Sequence, residues 1–268
     1  MNLQYKQEVS KYGKKDAIIA LGVFLFFIVL LQMVGIVNDS SREALTSQQR
    51  FLIRGLMSFA GVIPVFAIIL IKKQGFSSIG IHKEKMLPAL RIGLLFSFIP
   101  LTLGILPGLL YGAEFVGFGT LLFSLFVTFL FAAAEDVCFV GFLQTRMYGL
   151  FKTDKVAISL VAAMFSFMHV PAWLRTGQLS FDNLLYLGIA LITWFILHLA
   201  LVSIFRRYFA LAPVVLLHTL YNFSSDSIWI FADEYVTYAE EWWMLSFPIL
   251  IAAIGIWAWY IHRKNKKA

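Results

Sequence analysis

Long apolar runs separated by short polar segments organise the chain from end to end. The runs begin near Ala17, Phe51, Ile92, Phe118, Val156, Leu184, Leu211 and Trp242. A helix needs about 20 residues to cross a hydrocarbon core of about 30 Å, and each run is long enough to do so. The pattern therefore predicts about eight transmembrane helices, the seventh interrupted by polar residues. Continuous runs dominate over short alternating ones, so strands are not expected. The expected fold class is all-α, a polytopic integral membrane helical bundle over 17–262. A polar N-terminal segment (1–16) and a basic tail (263–268) flank it, and neither an internal repeat nor a soluble domain is visible.

Composition agrees, with 60% hydrophobic and only 14% charged residues in a chain of 268. The mean hydropathy is +0.81. A soluble domain of this size carries far more charge. The first run follows Lys6, Lys11, Lys14 and Lys15 and is too long for a signal-peptide core, so no cleavable signal is expected. The single cysteine, Cys138, excludes an internal disulfide.

A net charge of +7 would suggest nucleic acid in a soluble protein, but the positions of the charges point elsewhere. With the N-terminus inside, the inner segments hold 18 of the 22 Lys and Arg residues. The outer segments hold three, Arg42, Arg50 and Arg175, and Arg54 lies within the second run. This asymmetry predicts a multi-pass protein of the plasma membrane with both termini cytoplasmic. The acidic loop with Asp233, Glu234, Glu240 and Glu241 is then external. Trp242 with Trp243 and Trp257 with Trp259 flank the last run as interfacial aromatics do, and His198 reads as interfacial near the inner end of the sixth. The bilayer is the expected partner and nucleic acid is not.

Five polar residues break this pattern inside the runs: Glu135, Asp136, His169, His218 and Asn222. Hydrocarbon penalises a charged side chain by roughly 2.5–3.5 kcal/mol on insertion scales, so several in one chain indicate a site. Counting from the basic ends of their runs, Glu135, His169 and Asn222 lie about 17, 20 and 17 Å deep and His218 about 10 Å. Three helices thus bring polar groups to a similar layer. His218 and Asn222 share one helix face, being four residues apart. A poorly solvated carboxylate beside an imidazole can activate water, and an imidazole with an amide can donate to an oxyanion. Glu135, His169 and His218 are alternatively zinc ligands, although no HExxH is present. Gly104, Gly108 and Gly112, at four-residue intervals, suit close helix contact.

Three segments carry a family resemblance. Glu135-Asp136-Val137-Cys138-Phe139-Val140-Gly141, Phe165-Ser166-Phe167-Met168-His169 and His218-Thr219-Leu220-Tyr221-Asn222 resemble, in order, the three motifs of the CPBP family. These are the Abi and CAAX-type intramembrane endopeptidases and bacteriocin-processing or immunity proteins. The resemblance implies a CAAX-protease-like membrane domain over 17–262 and a glutamate-dependent endopeptidase with no obligatory cofactor, acting on a peptide or protein substrate. It makes Glu135 the base that activates water with His169, places His218 and Asn222 in an oxyanion hole, and puts Phe165 on the cavity wall. The family's first motif usually reads Glu-Glu-x-x-x-Arg. Here Asp136 replaces the second glutamate and Val140 stands where the arginine is expected. Arg146 lies about 15 Å further along the helix from Asp136 and cannot take its place. An arginine restored at 140 is expected to raise turnover. The departure also opens a second reading, a catalytically impaired pseudoprotease serving as a membrane binding or immunity protein. A transporter is the third, though the repeated halves and paired broken helices of transporters are not visible.

Overall fold

The computed structural model describes residues 2–40, 44–175, 184–226, 228–230, 235, 246–260 and 263. Within them, six helices are long and apolar enough to cross a membrane, as the first six apolar runs predict. The first crossing is α2 (Lys14–Ser40), preceded by the short α1 (Leu3–Val9). The second is formed by α3 (Ser47–Ala60) and α4 (Ile63–Ile71), and the third by α5 (Lys83–Leu110). The fourth comprises α6 (Phe118–Asp136), a π-helical segment Val137–Leu143, α7 (Gln144–Arg146) and α8 (Tyr148–Phe151). The fifth is α9 (Asp154–Phe167) with α10 (Val170–Arg175), and the sixth is α11 (Leu184–Tyr208).

The seventh and eighth runs form shorter helices, α12 (Ala212–Asp226) and α13 (Ser246–Tyr260). Fifteen residues of helix rise about 22 Å, short of the hydrocarbon thickness, so among the described residues length alone supports six of the eight expected crossings. Among the described residues the fold is all-α apart from one ribbon, in which β1 (Glu114–Phe115) pairs antiparallel with β2 (Trp229–Ile230). Alternation cannot reveal a two-residue strand. Trp242, Trp243, the acidic loop, Arg42 and the tail beyond Arg263 lie outside the described residues.

Contacts gather the basic helix ends on one face of the bundle. Lys72, after α4, pairs with Asp16 at the start of α2. Asn2 donates its backbone N–H to Arg206 O at 3.1 Å, Lys85 reaches Gln4, and Arg206 pairs with Asp154. Arg146 is fully buried there instead of marking an exposed helix exit. Its guanidinium donates to Gln74 Oε1 (2.8 Å), Ser78 O (3.1 Å) and Thr145 Oγ1 (2.7 Å) and lies 4.4 Å from the Tyr12 and Phe142 rings. At the other end of α2, Asp39 accepts from Arg175 Nε at 2.8 Å. That pair marks the opposite face.

Glycines allow a close helix approach between α5 and α12. A Cβ on Gly104 would stand 2.3 Å from Ser224 O, and one on Gly93 would stand 2.7 Å from Pro213 O. Gly108 meets the Trp229 indole, whereas Gly112 lies beyond α5 in a turn with φ of 63°. Two of the three spaced glycines are therefore contact residues and the third is a turn residue.

Candidate active site

Glu135 and Asp136 are the last residues of α6, where the backbone passes into the π-helical segment. Such widened turns occur mostly as single interruptions of α-helices, often at functional sites. Every residue of this segment is buried, Val140 completely. Successive helical residues differ by about 100° in direction, so the two carboxylates face different surroundings. Asp136 is wholly buried against α12, where its Oδ1 accepts from His218 Nδ1 at 3.2 Å. Glu135 keeps 17% of its side chain exposed, with Oε2 3.7 Å from His218 Nε2. One imidazole thus lies between two consecutive carboxyl groups.

His169 occupies the break between α9 and α10, where Pro171 suits the first turn of the new helix. Its Nδ1 is 3.1 Å from Phe165 O and 3.3 Å from Ser166 O. Carbonyl oxygens only accept, so Nδ1 carries the proton and Nε2 presents a lone pair. The ring stacks on Trp194 at 4.5 Å with 7° between the planes, which fixes its orientation.

Glu135, His169, Trp194 and Asn222 share one cavity of about 620 Å³. Its walls come from one face of α3, including Ser47, Gln48, Phe51 and Arg54, and one face of α6, including Thr120, Ser124, Thr128 and Phe131. A capping box starts α3: Thr46 N–H donates to Gln49 Oε1 at 2.9 Å and Gln49 N–H to Thr46 Oγ1 at 3.2 Å. A carboxylate, an imidazole lone pair and an amide around one space form the kit for water activation at an acyl carbon. Residues 117–224 match the family model described as type II CAAX prenyl endopeptidase Rce1-like. This segment is similar to that family. Neither curated proteins nor solved structures give a match.

The Rce1-like segment holds all six residues singled out from the sequence, but not the whole cavity. Glu135, His169 and Asn222 line it, while His218 adjoins Glu135 from within the bundle. Phe165, expected on the wall, is instead fully buried behind the imidazoles. It stacks on His198 at 4.9 Å and meets the His169 and His218 rings edge-on at 5.6 and 6.2 Å. His198 is fully buried too, not interfacial, because Phe165 and Phe139 enclose it.

Arg54 is a site residue that no sequence motif marks. It comes from α3, outside the Rce1-like segment, with its guanidinium 5.3 Å from the Phe131 ring centroid, and it lines the same cavity as Glu135. The available signal was the cost of a cation in the middle of an apolar run, the same signal that picked out the carboxylates. As for zinc, no three His, Cys, Asp or Glu side chains among the described residues gather closely enough to hold a metal ion. The alternative set of Glu135, His169 and His218 is therefore not assembled as a ligand sphere.

Proposed function

We propose that this protein is an intramembrane glutamate-dependent endopeptidase of the CAAX-protease type. The observation that carries the reading is the single cavity shared by Glu135, His169 and Asn222 within the Rce1-like segment. A water held between the Glu135 carboxylate and His169 Nε2 gives up a proton to this pair as its oxygen attacks the scissile carbonyl. The resulting oxyanion accepts hydrogen bonds from the Asn222 amide and, one helical turn away on α12, from Nε2–H of His218, which acts as the imidazolium because its Nδ1–H is already given to Asp136. Asp136 orients His218 through the other ring nitrogen, as the carboxylate does in a catalytic triad. Collapse of the tetrahedral intermediate breaks the C–N bond, and the proton passes to the departing amine. Arg54 supplies from α3 the positive charge that Val140 cannot. In this reading α12 and α13 complete eight spans and both termini are cytoplasmic in the plasma membrane.

Val140 favours the second reading, a pseudoprotease that binds peptide without cleaving it. Cleavage of a short-peptide library by the detergent-purified wild type and Glu135→Gln, with and without chelator, separates the two. Chelator-resistant cleavage by the wild type alone supports a glutamate-activated water. Peptide binding without cleavage by either folded protein supports the pseudoprotease.

A further inference from the structure

The cavity has a direction. On α6 its lining runs from Thr120 through Ser124 and Thr128 to Glu135, and on α3 it is confined to the first turns, Ser47 to Arg54. Ser47 and Gln48 are exposed, Thr120 and Ser124 half-buried, and Thr128 buried. The mouth therefore lies at the starts of α3 and α6, and Glu135 lies at the floor. Thr120 to Glu135 spans about 22 Å of helix. An extended chain of about seven residues covers that length.

The mouth opens on the face opposite the basic ends. The start of α3 follows the end of α2, where Asp39 meets Arg175, whereas Lys14 and Lys72 mark the other ends of α2 and α4. By the positive-inside rule the basic face is cytoplasmic, so the mouth is not. The groove's hydroxyls, amide and guanidinium would be costly against lipid tails, so this space holds water or a polar chain. A second cavity of about 720 Å³, lined by apolar side chains such as Phe126, Phe129 and Leu220, contacts the other face of α6 without reaching Glu135. A lipid chain bound there would not enter the groove.

We infer that the site receives its substrate from the extracytoplasmic side, as an extended peptide segment of an exported or membrane-anchored chain. This inference rests on the peptidase reading. The groove's hydroxyl and amide groups, Ser47, Gln48, Thr120 and Ser124, are suited to pairing with the backbone of such a segment, and Arg54 attracts an anionic group on it.

The test uses the full-length protein in its membrane, with the sole cysteine removed by Cys138→Ser. Ser124→Cys then reports the groove and Ser10→Cys the basic face, with Thr120→Cys as a second groove position. A membrane-impermeant maleimide is applied to intact cells and to inside-out vesicles. The groove cysteines are expected to label from outside and to lose labelling from inside, with Ser10→Cys giving the reverse. Groove labelling from the inner side, from both sides or only after detergent overturns the inference. A peptide library added outside is expected to slow labelling at Ser124→Cys, and unchanged labelling overturns the peptide assignment. Turnover is not read, so failure here is distinct from failure to find cleavage.

Discussion

Glu135 and Asp136 are neighbours in the chain, yet one faces a cavity and the other a packed interface. Their substitutions should separate accordingly. Glu135→Gln preserves shape and is expected to lower peptide cleavage by about 10²–10⁴-fold, the usual contribution of a general base, with thermal stability unchanged. Asp136→Asn weakens the acceptor for buried His218 Nδ1 and is expected to cost about 1–3 kcal/mol of stability in addition to activity, read by thermal unfolding in detergent. Arg54→Gln should reduce cleavage with the fold intact, and Arg54→Lys should recover part of it. No recovery with lysine would remove the role given to its charge. The expectation that Val140→Arg raises turnover is revised by the structure. Val140 is fully buried in the π-helical segment, and overpacking there costs about 1–3 kcal/mol, so a lower melting temperature is expected.

The elements position these residues through backbone contacts that one-letter patterns show only in outline. The α5–α12 contact depends on glycines, and Asn222 lies two residues before Ser224, whose carbonyl meets Gly104. Gly104→Ala is expected to push α12 outward, destabilise the protein by about 1–3 kcal/mol and lower cleavage by displacing Asn222. An unchanged melting temperature and turnover would refute that placement. Spacing in the sequence identified Gly104 as a contact residue but could not name its partner. The break that presents His169 between α9 and α10, and the π-helical segment after Asp136, were not legible in the sequence. Both lie inside apolar runs that read as continuous helix, because hydropathy measures transfer into lipid and is blind to hydrogen-bond register.

The whole molecule is polarised between a basic face and a face that carries the groove mouth. On the basic face, outside the crossings, α1 is anchored by Tyr5, which is fully buried and meets the Tyr148, Phe205 and Phe209 rings edge-on at 5.6–6.1 Å. Burial pushes the Tyr5 hydroxyl up from 10.0 to about 12, because the phenolate loses its hydration. A raised acid favours the folded state below the unfolded value, and that contribution is lost as pH rises through the folded one. Stability in detergent should therefore fall between about pH 10 and 12, and Tyr5→Phe should flatten this fall. Burial raises the Tyr12 hydroxyl too, in the same direction.

The all-α class, the first six crossings and the residues worth placing in a site can all be read along the chain. Each follows from the cost of putting polar groups into hydrocarbon, a property of composition along one helix. Which of those residues meet depends on how the helices pack. Phe165 and His198 pack behind the site, His218 lies between two carboxylates, and Arg54 joins from a helix about 80 residues earlier. Such meetings depend on which faces of separate helices pack together, and distance along the chain carries no record of them.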